Sequence, residues 1–191
     1  MLKDRTALII MDYQNGIVAM LPEEQQEKLL HTTSGLLDSV RQAGLPVIHV
    51  VVSFREGYPE ISPRNKTFST IKEAKQFVEG KTGTEIHPRV APKAGEAVVT
   101  KRRVGAFANT DLETILKAKG IEALVLLGIS TSGCVLSTVR WAADEDYGLF
   151  VVSDGCGDPD QEVHQVLMEK VFPKQATVAT AQELLDALTA T

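Results

Sequence analysis

The chain has 191 residues, 43% hydrophobic and 24% charged, a globular composition for one domain large enough to bury a core. Its formal net charge of −5 lacks the basic field that nucleic acid or an anionic membrane would need, and so points to a small soluble ligand. The opening stretch MLKDRTALIIMDYQNG holds a short apolar run closed by Asp12, neither an export-signal core nor a spanning helix; the expectation is a cytoplasmic protein with Cys134 and Cys156 as free thiols.

In chain order, the first element is the apolar, β-branched run TALIIMDY (6–13), a strand buried on both faces. PEEQQEKLLHTTSGLLDSVRQAG follows, with Leu29, Leu30, Leu36, Leu37 and Val40 at helical spacing and Gly44 as the stop. The second strand is LPVIHVVVSF (45–54). From Arg55 to Pro92 the rhythm breaks, with Gly57, Pro59, Pro63, Gly80, Gly83, Pro88 and Pro92 around one short helix, TIKEAKQFVEG. A connection this long reads as a lid-like or partner-contacting element, with a solvated insertion as the alternative. EAVVTK (96–101) is the third strand, and NTDLETILKAKG (109–120) is a helix with acidic residues early, lysines late and a terminal glycine. ALVLLGI (123–129), GLFVVSD (148–154) and ATVATA (176–181) complete the strands. Helices are expected over 132–146, 160–171 and 181–187.

This alternation predicts an α/β fold: a doubly wound three-layer sandwich around a six-stranded, mostly parallel sheet. It reads as one domain over 1–191 with a variable, lid-like segment at 55–92. In an open parallel sheet the ligand crevice lies beyond the carboxyl ends of the strands. Asp12 and Gln14 stand there after strand one, Lys101 after strand three, Cys134 after strand four, and Asp154 and Cys156 after strand five.

A carboxylate, an ammonium and a thiol on one rim make an activated-nucleophile constellation. A helix N-terminus and a nearby ammonium would both favour the Cys134 thiolate. Asp12 could carry the thiol proton to a leaving group while Lys101 holds both anions in place. Backbone N–H groups at the start of the following helix would face a developing oxyanion, and Ser130, Ser132 and Gly133 let a substrate approach closely. Taken singly, each residue has a plainer reading: Cys134 as a small packing residue, Asp12 as a turn former, Lys101 as part of a solvated basic cluster with Arg102 and Arg103. Cys156 and His49 read as structural, the latter as a hydrogen-bonded core histidine. His31, His87 and His164 have no ligand spacing, so no metal is expected. GISTSG and DGCGD match neither the dinucleotide fingerprint nor a P-loop, so no cofactor is expected.

Three blocks in order, ALIIMDYQNG, KRRVGAFANTDLETIL and LVLLGISTSGCVLSTVRWAADEDYGLFVVSDGCGD, resemble the signatures of the isochorismatase-like cysteine hydrolases. HQVLMEKVFPKQATVATAQELL resembles that family's C-terminal block, so the likeness spans nearly the whole chain outside 55–92. It implies a catalytic triad of Asp12, Lys101 and Cys134, and a cis peptide at Ile129–Ser130 that turns the Ser130 and Cys134 N–H groups into an oxyanion hole. It also implies, more weakly, substrate contacts from Gln14 and Phe107, and a homo-oligomer. The Asp-x-His metal motif of the family's nicotinamidases is missing from SFREGYP, which disfavours nicotinamide. Retention of Cys134 favours cleavage of a small amide or related C–N bond through a thioester. The alternatives are vinyl ether hydrolysis of the isochorismatase type using Asp12, and a non-catalytic binding or thiol-sensing module.

Overall fold

The computed structural model describes residues 5–189, so the first four and last two residues of the expected domain lie outside it. Strands β1 (Thr6–Met11), β2 (Val47–Val52), β3 (Ala97–Lys101), β4 (Ala123–Ile129), β5 (Gly148–Gly157) and β6 (Thr177–Ala179) form one sheet. Their spatial order is β3-β2-β1-β4-β5-β6, and every neighbouring pair is parallel. The fold is therefore α/β with an all-parallel sheet flanked by helices. The inner strands β1 and β2 are buried at every residue, which is why they read as unbroken apolar runs. The edge strand β3 alternates instead, with Val99 buried and Val98 48% exposed.

The helices are α1 (Asn15–Val18), α2 (Glu23–Gln42), α3 (Lys66–Glu73), α4 (Leu112–Ala118), α5 (Leu136–Asp144), α6 (Gln161–Val166) and α7 (Ala181–Thr189). The five apolar residues that predicted α2 are its buried face, each worth roughly 1.5–3 kcal/mol when fully removed from water. Three expectations need correction. The short helix expected at 70–80 lies at α3, because the Asn65 side chain caps it early by accepting from the Phe68 N–H at 3.0 Å. It stops after Glu73 because Lys75 and Phe77 adopt left-handed φ of 53° and 56°. The helix expected at 132–146 opens with a wide π turn at Thr131–Val135, and the one expected at 160–171 ends in another at Leu167–Val171. Strand five does not end at Asp154. Leu126 pairs with Val151 but Gly128 with Cys156, so β5 bulges and then rejoins β4 through Gly157. The Tyr13 hydroxyl pins that bulge by donating to the Gly155 carbonyl at 2.7 Å.

The chain runs β1, β2, β3 towards one edge and returns to β4, β5, β6 on the other. The reversal falls between β1 and β4, so the crevice opens beyond the carboxyl ends of those two strands.

Candidate active site

Asp12 follows β1 directly and holds a left-handed φ of 60°, a conformation that Asp tolerates better than most residues. Lys101 closes β3, on the far side of β2 from β1, and its long side chain reaches back across the rim. Its Nζ donates to Asp12 Oδ2 at 2.8 Å, to the Val104 carbonyl at 2.8 Å and to the Arg103 carbonyl at 3.2 Å. All three ammonium hydrogens are therefore engaged. Asp12 is 4% exposed and Lys101 2%, so this is a buried ion pair. Among the described residues, Asp12 Oδ1 is buried without a hydrogen-bond partner, an omission that ordinarily costs about 1–3 kcal/mol or more for a charged group.

Cys134, 3% exposed, sits in the π turn that follows β4. The Ile129–Ser130 peptide is cis. The Ser130 carbonyl accepts the Gly133 N–H at 3.2 Å, the Val135 N–H at 3.3 Å and the Cys134 thiol at 3.5 Å, which fixes the turn. Gly128 lies beneath the sulfur: a Cβ there would stand 3.0 Å from the Met11 carbonyl oxygen and 3.1 Å from Cys134 Sγ. Only glycine lets β1, β4 and the thiol approach this closely. Asp158 anchors the turn from the other side, its Oδ2 accepting the Ser132 N–H at 2.8 Å and its Oδ1 the Asp160 N–H at 3.1 Å. Sequence reasoning passed over Asp158; the available signal was an acidic residue wedged between a glycine-rich strand end and a Pro–Asp helix start.

Burial pushes the Cys134 thiol well above its ordinary pKa, and the Asp12 charge raises it further. Lys101 pulls the other way without prevailing, because Asp12 already neutralises it. Burial thus works against the thiolate that a nearby lysine and a helix N-terminus were expected to favour. Asp12 is likewise raised by burial, with Lys101 and, after it, the neighbouring Cys134 thiol and Val52 backbone opposing. Cys156, buried in β5 opposite Gly128, is pushed up to about 12 by burial, with Asp154 also raising it.

Asp12, Lys101 and Cys134 line one cavity of about 390 Å³, together with Ser130, Ser132, Gly133 and Asp158. The 55–92 segment supplies part of its wall through Thr67, Phe68, Ile71 and Phe77. The structure does not bring Gln14 or Phe107 to it. The Gln14 side chain is fully buried: its Nε2 donates to the Val52 and Thr84 carbonyls at 2.9 and 2.8 Å, and its Oε1 accepts the Val52 N–H at 2.8 Å. It fastens the long segment to β2. Phe107 stacks on Trp141 with ring centroids 4.0 Å apart. Asp154 is exposed within β5 and accepts the Ala181 N–H at the start of α7, away from the rim. His49 is the hydrogen-bonded core residue expected, 3.1 Å from Glu96 Oε2.

Among the described residues, no three His, Cys, Asp or Glu side chains are grouped to hold a metal, and no helix is long and apolar enough to cross a membrane. The family model of the isochorismatase domain matches residues 6–183. YwoC of Bacillus subtilis, described as an uncharacterized isochorismatase family protein, is 31% identical over 188 residues, 95% of this chain and 93% of its own length. The maleamate amidohydrolase of Pseudomonas putida is 28% identical over 187 residues, 96% of this chain and 87% of its own. The crystal structure of N-carbamoylsarcosine amidase from Thermoplasma acidophilum superposes with a TM-score of 0.77 at 26% identity, covering 93% of this chain and 96% of that one.

Proposed function

The chain belongs to the isochorismatase family, a hydrolase family with amidohydrolase members, and on that footing we propose that it is a cysteine hydrolase of a small amide. The observation that carries this reading is the buried trio itself, with the unpartnered Asp12 Oδ1 and the neutral Cys134 thiol on one cavity. Cys134 Sγ attacks the amide carbon, and as the S–C bond forms the thiol proton passes to Asp12 Oδ1. Because the thiol pKa is raised, proton transfer accompanies attack rather than preceding it. Lys101 keeps Oδ2 occupied and so reserves Oδ1 for the proton. The Ser130 and Cys134 backbone N–H groups take the developing oxyanion. Asp12 returns the proton to the departing nitrogen, the C–N bond breaks, and ammonia or an amine leaves a Cys134 thioester. Water then attacks the thioester with Asp12 as base, releasing the acid and restoring the thiol.

A second reading, ether hydrolysis by Asp12 without the thiol, draws on the same unpartnered oxygen. Two variants separate them. Ammonia release across a panel of small amides should vanish in both Cys134→Ala and Asp12→Asn; a protein that releases no ammonia from any of them but cleaves a vinyl ether, undiminished in Cys134→Ala and abolished in Asp12→Asn, would replace the amidase reading with the second. Thiol sensing fits poorly, because it needs an accessible low-pKa thiol and both cysteines are buried with raised pKa. Two free thiols suit a reducing compartment such as the cytoplasm.

A further inference from the structure

The cavity walls are apolar on every side of the reactive floor: Ile17 and Met20 beside α1, Phe68 and Ile71 on α3, Phe77 beyond it, and Val104 after β3. Neutral polar side chains are confined to Thr67, Ser130 and Ser132. Lys101 is the one cation among the lining residues, and its three hydrogens are committed to Asp12 and two carbonyls. The neighbouring arginines are tied elsewhere. Arg102 pairs with Glu79 and, at 3.3 Å, with Glu60, while Arg103 donates to the carbonyls of Glu60 at 3.3 Å and Arg102 at 2.6 Å; neither lines the cavity. Lys66 and Lys75, in and just beyond α3, are exposed and do not line it either.

Against that single engaged cation stand two lining carboxylates. Asp12 is matched by Lys101, but Asp158, 3% exposed, is held by the Ser132 and Asp160 N–H groups and forms no salt bridge among the described residues; the His164 ring it acts on is itself kept low by burial. The cavity thus carries one formal negative charge and, away from the Ser130 and Cys134 N–H groups at the reacting carbonyl, no donor set for a bound anion. A second carboxylate would be desolvated beside a like charge and left unpaired.

We propose that the substrate is an uncharged amide whose acyl group is a short alkyl or aryl chain, and that the cavity rejects amides carrying a carboxylate. The proposal rests on the amidase reading for the bond that is cleaved, and on the walls and charges alone for the part that is recognised. It has a kinetic corollary: hydrolysis converts the neutral acyl group into a carboxylate, so the field that excludes anionic substrates also expels the product.

Pentanamide and glutaramate are a matched test pair, since glutaramate replaces the terminal methyl of pentanamide with a carboxylate. Their binding to Cys134→Ala protein, with Cys134→Ser as a second background, is measured by calorimetry, and their turnover by the native protein is read as ammonia. Pentanamide should bind at least about tenfold more tightly, a difference of about 1.4 kcal/mol. Pentanoate should compete poorly, and Ile71→Arg should narrow or reverse the preference. Equal or tighter binding of glutaramate, or no measurable binding of pentanamide, overturns the proposal. If pentanamide is preferred in both backgrounds but neither amide yields ammonia, the assignment of an uncharged acyl group stands and the amidase reading falls.

Discussion

Two ionic clusters, the first half-buried and the second buried, lie at opposite ends of β3, roughly 15 Å apart along the strand. At its start, Glu96 Oε1 accepts Arg41 Nε at 2.7 Å, and Oε2 meets Arg41 Nη2 at 2.8 Å, the Lys93 N–H at 2.8 Å and His49 Nε2 at 3.1 Å. At its end, Lys101 satisfies one oxygen of Asp12 and leaves the other bare. Burial raises both carboxyls, but in Glu96 the Arg41, Lys93 and His49 contacts prevail and bring it to about 2, whereas Asp12 remains raised. Saturation marks the first cluster as structure. The second keeps an unused acceptor beside a thiol and a cavity, which is the arrangement that moving a proton requires.

The largest effects should come from breaking the second cluster. Cys134→Ala and Asp12→Asn should each lower ammonia release by about 10³-fold or more. They should differ in stability: Asp12→Asn leaves the Lys101 charge buried and unpaired, at about 3–5 kcal/mol, while Cys134→Ala costs much less, a contrast that urea denaturation resolves. Gly128→Ala, which pushes a methyl against Met11 and Cys134 Sγ, should lower both activity and stability, the latter by about 1–3 kcal/mol.

Breaking the first cluster should do the reverse. Glu96→Gln should leave kcat/KM within about twofold yet lower stability by about 1–3 kcal/mol at pH 7. Glu96 has a folded-state pKa below its unfolded value, so its contribution is present above pH 4.5 and is lost as pH falls towards 2. His49, lowered chiefly by burial, must be charged on unfolding and so acts in the same direction below pH 6.5. Acid unfolding monitored by circular dichroism should therefore begin at higher pH in the native protein than below pH 4.5 alone, and the Glu96→Gln variant should lose the lower part of that dependence. The smallest effect is on free-enzyme reactivity: alkylation of Cys134 should rise only through the alkaline range, and a step at or below neutral pH would restore the preformed thiolate.

The strands and the meeting of Asp12, Lys101 and Cys134 were legible because both follow from local pattern: unbroken apolar runs make parallel strands, and polar residues just beyond them share a rim. What escaped depends on contacts remote in sequence. The β5 bulge is pinned by Tyr13, over a hundred residues away, so a strand end read from composition fell short. Gln14 looked like a rim residue but is consumed by Val52 and Thr84, and Asp158, which the sequence reading passed over, anchors the turn that carries Cys134. The electrostatic balance at the thiol escaped for the same reason: sequence places a lysine nearby, yet only the folded chain reveals that its charge is matched by Asp12 and that the sulfur is buried.

The proposed chemistry requires the bare oxygen and the buried thiol to act as one reactive unit. Ammonia release from saturating pentanamide, measured for native and Cys134→Ala proteins of matching circular dichroism, tests it most directly. The native protein should release ammonia and the variant none above background; equal rates from the two would remove the thiol from the chemistry.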